Sequence, residues 1–434
     1  MVSWRKSCPF LMVIIIMLAF TASAAPVQVW SPQSVEWNKI IQELTDSEFT
    51  AKTKIDVQIQ TIPWAGFEQK YLLGAASGDV PDVGITGSLG PADLGVRGAA
   101  VDLSKYGKDY QDLKNQMYPG LMRSFDYLGT QFGLPMQMVI YPMIYRSDIM
   151  SDLGLPVPKT WDELYQILPK LQANKKNFYT AFAFKEGQAD VVYADVSTFI
   201  WQHGGDWYTS DRLRSGLDTP QAVKGFTEFA ELFTKRGVPK AAESFMGFKQ
   251  GELPLMQTTM WQYANIETAA PELKGKWNLT LIPGTKRADG SVNHAAYIGG
   301  MTFVLFNKGK RTDDGFKWLK WFLSADIQAK LAQKITKEIP GSIFIPANIN
   351  ALPSLPIPKE HINAVMAQAK DSIAPAFALA PESVTQRFIN IAAQETVLMG
   401  VNPETAIKKA ARDMNVELEK KQKEYARFIT KLKK

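Results

Sequence analysis

The chain has 434 residues, 46% of them hydrophobic and 21% charged, a balance that excludes a disordered or low-complexity protein and predicts two or three globular domains at roughly 150 residues each. The single cysteine, Cys8, excludes an internal disulfide. The formal net charge of +6 does not point to nucleic acid: part of the excess is the run Lys420, Lys421, Lys423, Lys431, Lys433 and Lys434, which reads as a solvated helix face, and no recognition motif accompanies it.

At the start, Arg5 and Lys6 precede an unbroken apolar run, Pro9–Phe20, and Ala22-Ser23-Ala24 follows. This is the order of a cleaved export signal, with cleavage expected after Ala24. The run is too short to span a bilayer comfortably. Cleavage removes Arg5 and Lys6 and no acid, so the formal charge falls from +6 to +4. Cys8 precedes the apolar run, the wrong side for lipidation, so the mature chain is expected to hold no cysteine. A cysteine-free exported chain of this size fits a bacterial periplasm, since its core can carry stability without disulfides.

Val27–Trp30 predicts a first strand, and a helix over Ser34–Thr50 turns Ile40, Ile41 and Leu44 to the core. Ile55, Val57 and Ile59 alternate with Asp56, Gln58 and Gln60, a strand of period two that ends at Pro63-Trp64. A helix carrying Phe67, Tyr71 and Leu72 leads through Ser77-Gly78-Asp79-Val80-Pro81-Asp82 to the short apolar piece Val83–Ile85. Strand, helix, strand, helix, strand predicts an α/β lobe with a largely parallel sheet. In open α/β sheets ligands sit beyond the carboxyl ends of strands. Asp82, Thr86, Gly87 and Ser88, which flank Val83–Ile85, are therefore candidate site residues.

Gly133 to Leu164 is the most structured signal in the chain. A Gly-Leu-Pro turn opens it, an apolar and aromatic run follows over Met136–Tyr145, and a short helix places Ile149, Met150 and Leu153 on one side. Gly154 stops that helix, Pro156 and Pro158 break the loop, and Thr160 caps a new helix with Glu163 at capping-box spacing. Further on, helices are predicted at Trp161–Ala173, Val191–His203 and Pro220–Arg236, the last with Val223, Phe226, Phe229, Ala230 and Phe233 at core spacing. Tyr297-Ile298-Gly299-Gly300-Met301 precedes a strand over Thr302–Phe306 and a helix carrying Phe316, Trp318, Leu319, Phe322 and Leu323. The last hundred residues read as helical, with proline breaks between Pro340 and Pro358.

The order of elements over Gly133–Leu164, and its wording Pro158-Lys159-Thr160-Trp161-Asp162-Glu163-Leu164, resembles the crossover segment of the family 1 extracellular solute-binding proteins, the maltose-binding-protein-like receptors of ABC importers. Arg146 stands where asparagine is usual. The Ser77–Val83 stretch, the turn His203-Gly204-Gly205-Asp206 before Trp207-Tyr208, the Gly299-Gly300 segment and the closing helix from Pro403 are similar to further pieces of that family. These motifs are loose, but together they cover nearly all of residues 26–434. The resemblance implies a two-lobed periplasmic binding protein fold of type II, each lobe a mostly parallel sheet flanked by helices, with a ligand cleft between. It implies one lobe from residues 25–135 and 292–338 and the other from 136–291 and 339–434. It also implies that Met256–Asn265 forms a strand from which Trp261 faces the cleft.

Chemical motifs are sparse. The three histidines, His203, His294 and His361, lie far apart and form no zinc pattern; G-x-S-x-G and G-x-x-x-x-G-K-[ST] are missing from the sequence. The informative signal is aromatic: of the 11 Trp, 14 Tyr and 23 Phe, Trp30, Trp64, Tyr141, Trp207, Trp261 and Tyr297 fall at strand ends or loops rather than on core-spaced helix faces. A flat ring packs on the C–H face of a sugar, and Asp, Asn or Gln side chains bind its hydroxyl rim. The candidate ligand-binding set is therefore Trp64, Asp82, Thr86, Gly87, Ser88, Gln137, Tyr141, Trp207, Trp261, Tyr297, Gly299 and Gly300, and the expected ligand is a sugar. The resemblance implies delivery to an inner-membrane ABC permease by a monomer that uses no cofactor and is not an enzyme. Two alternatives remain open on the sequence. The same fold would take a polyamine, glycerol phosphate or metal chelate, a phosphate calling on Arg97, Arg123 or Arg146. A secreted hydrolase would pair two of Asp82, Asp206 and Glu267 about 5–9 Å apart.

Overall fold

The computed structural model describes residues 25–88, 90–181, 184, 192–380 and 382–432. The expected export signal, Cys8, Val191, Lys433 and Lys434 lie outside the described residues.

Fifteen short strands are described: β1 Val27–Ser31, β2 Val57–Thr61, β3 Val83–Thr86, β4 Asp126–Tyr127, β5 Thr130–Gln131, β6 Leu134–Pro135, β7 Val139–Ile140, β8 Met143–Tyr145, β9 Phe178–Tyr179, β10 Leu255–Gln257, β11 Asn278–Thr280, β12 Thr285–Lys286, β13 Val292–Asn293, β14 Ile298–Gly299 and β15 Thr302–Leu305. Two sheets centre the two lobes, one in the order β2-β1-β3-β15-β6 and one in the order β11-β8-β10-β9. In the first, β1 runs parallel to β2 and β3 as the strand-helix-strand pattern predicts, but β15 runs antiparallel to both neighbours. In the second, β10 is parallel to β9 and antiparallel to β8. The expected mostly parallel sheets are therefore mixed. The physical reason is the route of the chain. A strand that arrives from the other lobe enters its sheet from the far end and pairs antiparallel.

The chain leaves the first sheet after β6, passes through β7, and joins the second sheet at β8; it returns through β14 to β15. On the way β7 and β14 pair antiparallel, Ile140 opposite Ile298 and Val139 opposite Gly299. Single bridges extend this pairing on both sides, from Gln137 to Pro346 and from Tyr297 to Ile373. The segment after Glu338 stays with the first sheet's elements. Phe344 packs on Trp37 at 5.8 Å between ring centres, and Asn348 donates to Gln116 Oε1 and to the Leu323 carbonyl, both at 2.8 Å. The expected lobe boundary at 338 thus falls short of where these contacts end.

Local signals explain most helices. Thr160 accepts from the Glu163 amide and Glu163 reaches back to the Lys159 amide at 2.7 Å, so the helix Trp161–Ala173 starts where its cap residues sit. Phe226, Phe229 and Phe233 are buried on one face of the helix Pro220–Thr234, and Phe229 lies 5.8 Å from Phe199. In the first lobe Trp318 is buried against Phe303 and donates to Thr45 Oγ1. One expectation fails: Met256–Asn265 is a strand only over β10, and Met260–Ala269 is a helix that carries Trp261 in its first turn.

Asp82 is also not where its candidacy placed it. It precedes β3, at the amino end of the strand, and is buried. Its carboxylate accepts from the Gln28 amide at 2.9 Å and the Arg311 amide at 2.6 Å, tying β1 and the start of the Thr312–Phe322 helix to β3. A carboxylate spent on two backbone donors is an anchor of the fold. Replacing it leaves two partly buried amides without their partner, so Asp82→Ala is expected to cost about 1–3 kcal/mol in chemical denaturation while leaving solute affinity unchanged.

Candidate functional site

β3 ends at Thr86, and Gly87 and Ser88 follow at its carboxyl end. Ser88 Oγ and the backbone of Gly300 exchange two contacts at 3.2 Å, one donated by the hydroxyl to the carbonyl and one by the amide to the hydroxyl. Gly300 has φ +148°, and a Cβ there would lie 2.1 Å from the Gln137 carbonyl oxygen, so this meeting of β3 and the two crossing segments needs a glycine. Thr86 itself is buried beneath this layer, its carbonyl accepting from Thr302 Oγ1, and it does not reach the cleft.

Above this floor lies a cavity of about 800 Å³. Trp64, Glu68, Gly87 and Ser88 line it from the first lobe, and Gln137, Val139, Gly299 and Gly300 from the crossing segments. Tyr141, Tyr193, Trp261, Tyr297, Ser383 and Gln386 also line it, as do Gln33, Trp37 and Gln69. Trp64 and Trp261 are 61% and 52% exposed, the values of rings presented to solvent rather than packed in a core. Trp64 follows the Pro63 break and rests on Phe67 at 5.3 Å. Tyr141, Tyr193 and Tyr297 form a wall of edge-on rings: Tyr297 lies 5.6 Å from both Tyr141 and Tyr193 at steep angles.

Of the twelve candidates, Trp64, Gly87, Ser88, Gln137, Tyr141, Trp261, Tyr297, Gly299 and Gly300 come together at the cavity; Asp82, Thr86 and Trp207 do not. Trp207 is fully buried one layer behind the wall, stacked on Trp201 at 6.4 Å, with its indole N–H donated to Ser197 Oγ at 2.7 Å. Trp30 is buried on Tyr71 and also lies off this cavity. Among the residues that sequence reasoning missed are Tyr193, Glu68, Gln33, Trp37, Gln69, Ser383 and Gln386. Glu68 lies four residues after Trp64, in the first turn of the helix Phe67–Ser77, and was within reach of that argument; Ser383 and Gln386 carry no local signal.

Charge is unevenly placed. Glu68 is the one ionisable carboxyl on the cavity among the described lining residues, and no lysine, arginine or histidine lines it among them. Desolvation in the cleft, with Asp93 adding its charge, raises the Glu68 carboxyl above the usual range. The three arginines weighed for a phosphate are engaged elsewhere: Arg97 with Asp93 and over Tyr425, Arg123 with Asp206, and Arg146 on Asp148 at 2.6 and 2.9 Å. Asp206 and Glu267 also lie off the cavity, so no pair of the proposed hydrolase carboxylates meets there. His203 contacts Glu228, His294 the Ile282 carbonyl and His361 the Tyr263 hydroxyl; no metal-binding cluster occurs among the described residues.

Two lobes, paired crossing segments and a cleft at strand ends define the architecture of a solute receptor, and comparison with known proteins agrees. Residues 31–329 match the bacterial extracellular solute-binding protein family, and the chain belongs to it. It is similar to a maltotriose-binding protein of Pyrococcus abyssi, 23% identical over 300 residues that cover 68% of this chain and 62% of that one. The chain thus spans less than two thirds of that relative's length. The fold is shared with the sugar-binding protein MalE of Xanthomonas citri, at TM-score 0.78 and 18% identity over 94% of this chain and 99% of that one. It is shared too with the cyclic α-maltosyl-1,6-maltose binding protein of Arthrobacter globiformis, at TM-score 0.76 and 20% identity over 91% and 99%.

Exposure separates the tryptophans by role. Trp207→Ala opens a cavity in the second lobe and is expected to cost about 3–5 kcal/mol. Trp64→Ala and Trp261→Ala are expected to stay within about 0.5 kcal/mol of the parent in the same urea titration.

Proposed function

We propose that this chain is an exported receptor that captures a neutral sugar between its lobes and hands it to an ABC importer. One observation carries the reading. Two solvent-facing tryptophans, Trp64 and Trp261, border one cavity whose other polar side chains are the glutamines Gln33, Gln69, Gln137 and Gln386, the serines Ser88 and Ser383, three tyrosines and the single carboxyl of Glu68. Rings suit the C–H face of a sugar, while amides and hydroxyls suit its rim. A lining without cations among the described residues disfavours glycerol phosphate or another anion. A cavity of about 800 Å³ lies toward the upper end of small-molecule sites and favours an oligosaccharide over one ring.

The mechanism is lobe closure. Residues 25–135 with 292–355 move against 143–291 with 359–432, and the paired crossing segments absorb the backbone change. A solute that touches both lobes only in the closed form shifts the equilibrium toward it, and the permease reads that form. Export through the Arg5–Ala24 signal places the receptor in the periplasm as a cysteine-free monomer without a cofactor. An amine is the second reading, because the Glu68 carboxyl and the Trp64 ring line the same cavity and together would suit a cation.

Thermal melting of the mature protein tests both. Maltose, maltotriose, other neutral oligosaccharides, single hexoses, glycerol phosphate and spermidine form the panel. A solute bound only by the folded state raises the melting temperature in a saturable way. We expect that rise with a neutral oligosaccharide, with no product formed. Trp64→Ala and Trp261→Ala should each weaken binding by about 1–3 kcal/mol in calorimetry, the scale of a buried aromatic anchor. A rise with spermidine alone would select the amine, and turnover of a sugar would make the protein a hydrolase.

A further inference from the structure

Arg123 and Asp206 meet at the lobe boundary. Arg123 opens the turn before the β4–β5 hairpin, which touches both bodies: Gln131 accepts from the first lobe's Tyr110 hydroxyl at 2.9 Å, while Ser124 donates to the Pro375 carbonyl at 2.9 Å and Tyr127 meets Phe377 edge-on at 5.7 Å. Asp206 lies in the loop between the helices Tyr193–Gln202 and Pro220–Thr234 of the second lobe. The two side chains form an ion pair, each about 30% exposed at 27% and 30%. Partial burial weakens solvent screening, so such a pair acts more strongly than one on the open surface. A second pair of opposite polarity lies beside it. Arg212 of the second lobe contacts Asp126 of the hairpin, with Nη2 3.1 Å from Oδ1 and Nη1 donating to the Asp126 carbonyl at 2.6 Å.

Asp206 has another task. Its Oδ1 accepts from the Trp201 indole N–H at 3.1 Å and from the Trp207 amide at 2.7 Å. The Trp201 ring stacks on Tyr297 at 6.0 Å and 22°, and Tyr297 lines the cavity. An unbroken run of contacts therefore joins Arg123, through Asp206 and Trp201, to the aromatic wall. Neither Arg123 nor Asp206 touches the cavity.

We propose that Arg123 and Asp206 are positioning residues of the solute site, which deepens the reading of the cavity given above. When the lobes meet, Arg123 pairs with one oxygen of Asp206 and restrains its carboxylate. The other oxygen then holds the Trp201 ring behind Tyr297. Closure and the arrangement of the wall are coupled, so a solute that stacks on the wall favours the paired state and the paired state favours the solute.

Fluorine NMR on protein labelled with 5-fluorotryptophan tests the coupling without any solute. The Trp201 signal is assigned with Trp201→Phe, and the Trp318 signal, deep in the first lobe, is the control. Arg123→Met is expected to shift the Trp201 signal and leave that of Trp318 in place. Raising salt to about 1 M in the unmodified protein is expected to move the Trp201 signal the same way, because salt screens a partly exposed pair. That titration needs no substitution and decides even if the variant does not fold. A Trp201 signal that responds to neither change overturns the proposal. The second arm uses maltotriose, whose affinity should fall roughly five-fold or more in Arg123→Met and recover in part in Arg123→Lys. Unchanged maltotriose affinity in Arg123→Met overturns the link to the site, even with a shifted signal. Parent protein that binds no sugar of the panel overturns the sugar reading instead, and the fluorine result still judges the pair.

Discussion

The pairing of β7 with β14 is the constraint on which the rest of the molecule depends. Each strand is two residues long, yet their ladder, with the Gln137–Pro346 and Tyr297–Ile373 bridges beside it, sets the two sheets relative to one another. The close approach of Gly300 to the Gln137 carbonyl and the Ser88 contacts fasten that layer to the carboxyl end of β3. The floor of the cleft is therefore backbone, and its shape follows from hydrogen-bond geometry more than from side-chain choice. Short ladders of this kind can bend without breaking a core, which suits a boundary between moving lobes.

On this floor the aromatic residues are sorted in depth. Trp64 and Trp261 stand in solvent, Tyr141, Tyr193 and Tyr297 form the wall, and Trp201 and Trp207 lie behind it. The indole N–H groups of Trp161, Trp201 and Trp207 are donated to Gln202, Asp206 and Ser197, which offsets the cost of burying those donors. The exposed rings keep apolar faces in water, an arrangement that a free protein gains nothing from unless a solute covers them.

Charge is distributed to the same end. The arginines weighed for a phosphate are used in ion pairs and ring contacts, and of the carboxylates weighed for catalysis Asp82 is a backbone anchor and Asp206 the partner of Arg123. Asp82 shows the pattern most simply, a single carboxylate joining three segments of the first lobe through backbone amides. The cavity is left with glutamines, serines and one carboxyl among its described lining residues.

The sequence by itself determined what local interactions decide. The Thr160 cap, the stop at Gly154, the phenylalanine spacing from Phe226 to Phe233 and the alternation after Ile55 act within a turn of helix or along one strand, so their outcome is legible without knowing the neighbours. The glycine pair at Gly299-Gly300 and the run around Tyr141 were legible for the same reason. Tertiary structure alone decided the direction of β15 and β8, which follows from the path of the chain between lobes. It alone decided that Trp207 is buried and Trp261 exposed, although both were candidates for the ligand on the same grounds. It also brought Gln386 to the cavity that Trp64 lines, and Asp206 to Arg123, residues separated by long stretches of chain. Such contacts exist only when distant segments pack, and no propensity or spacing within one segment carries that information.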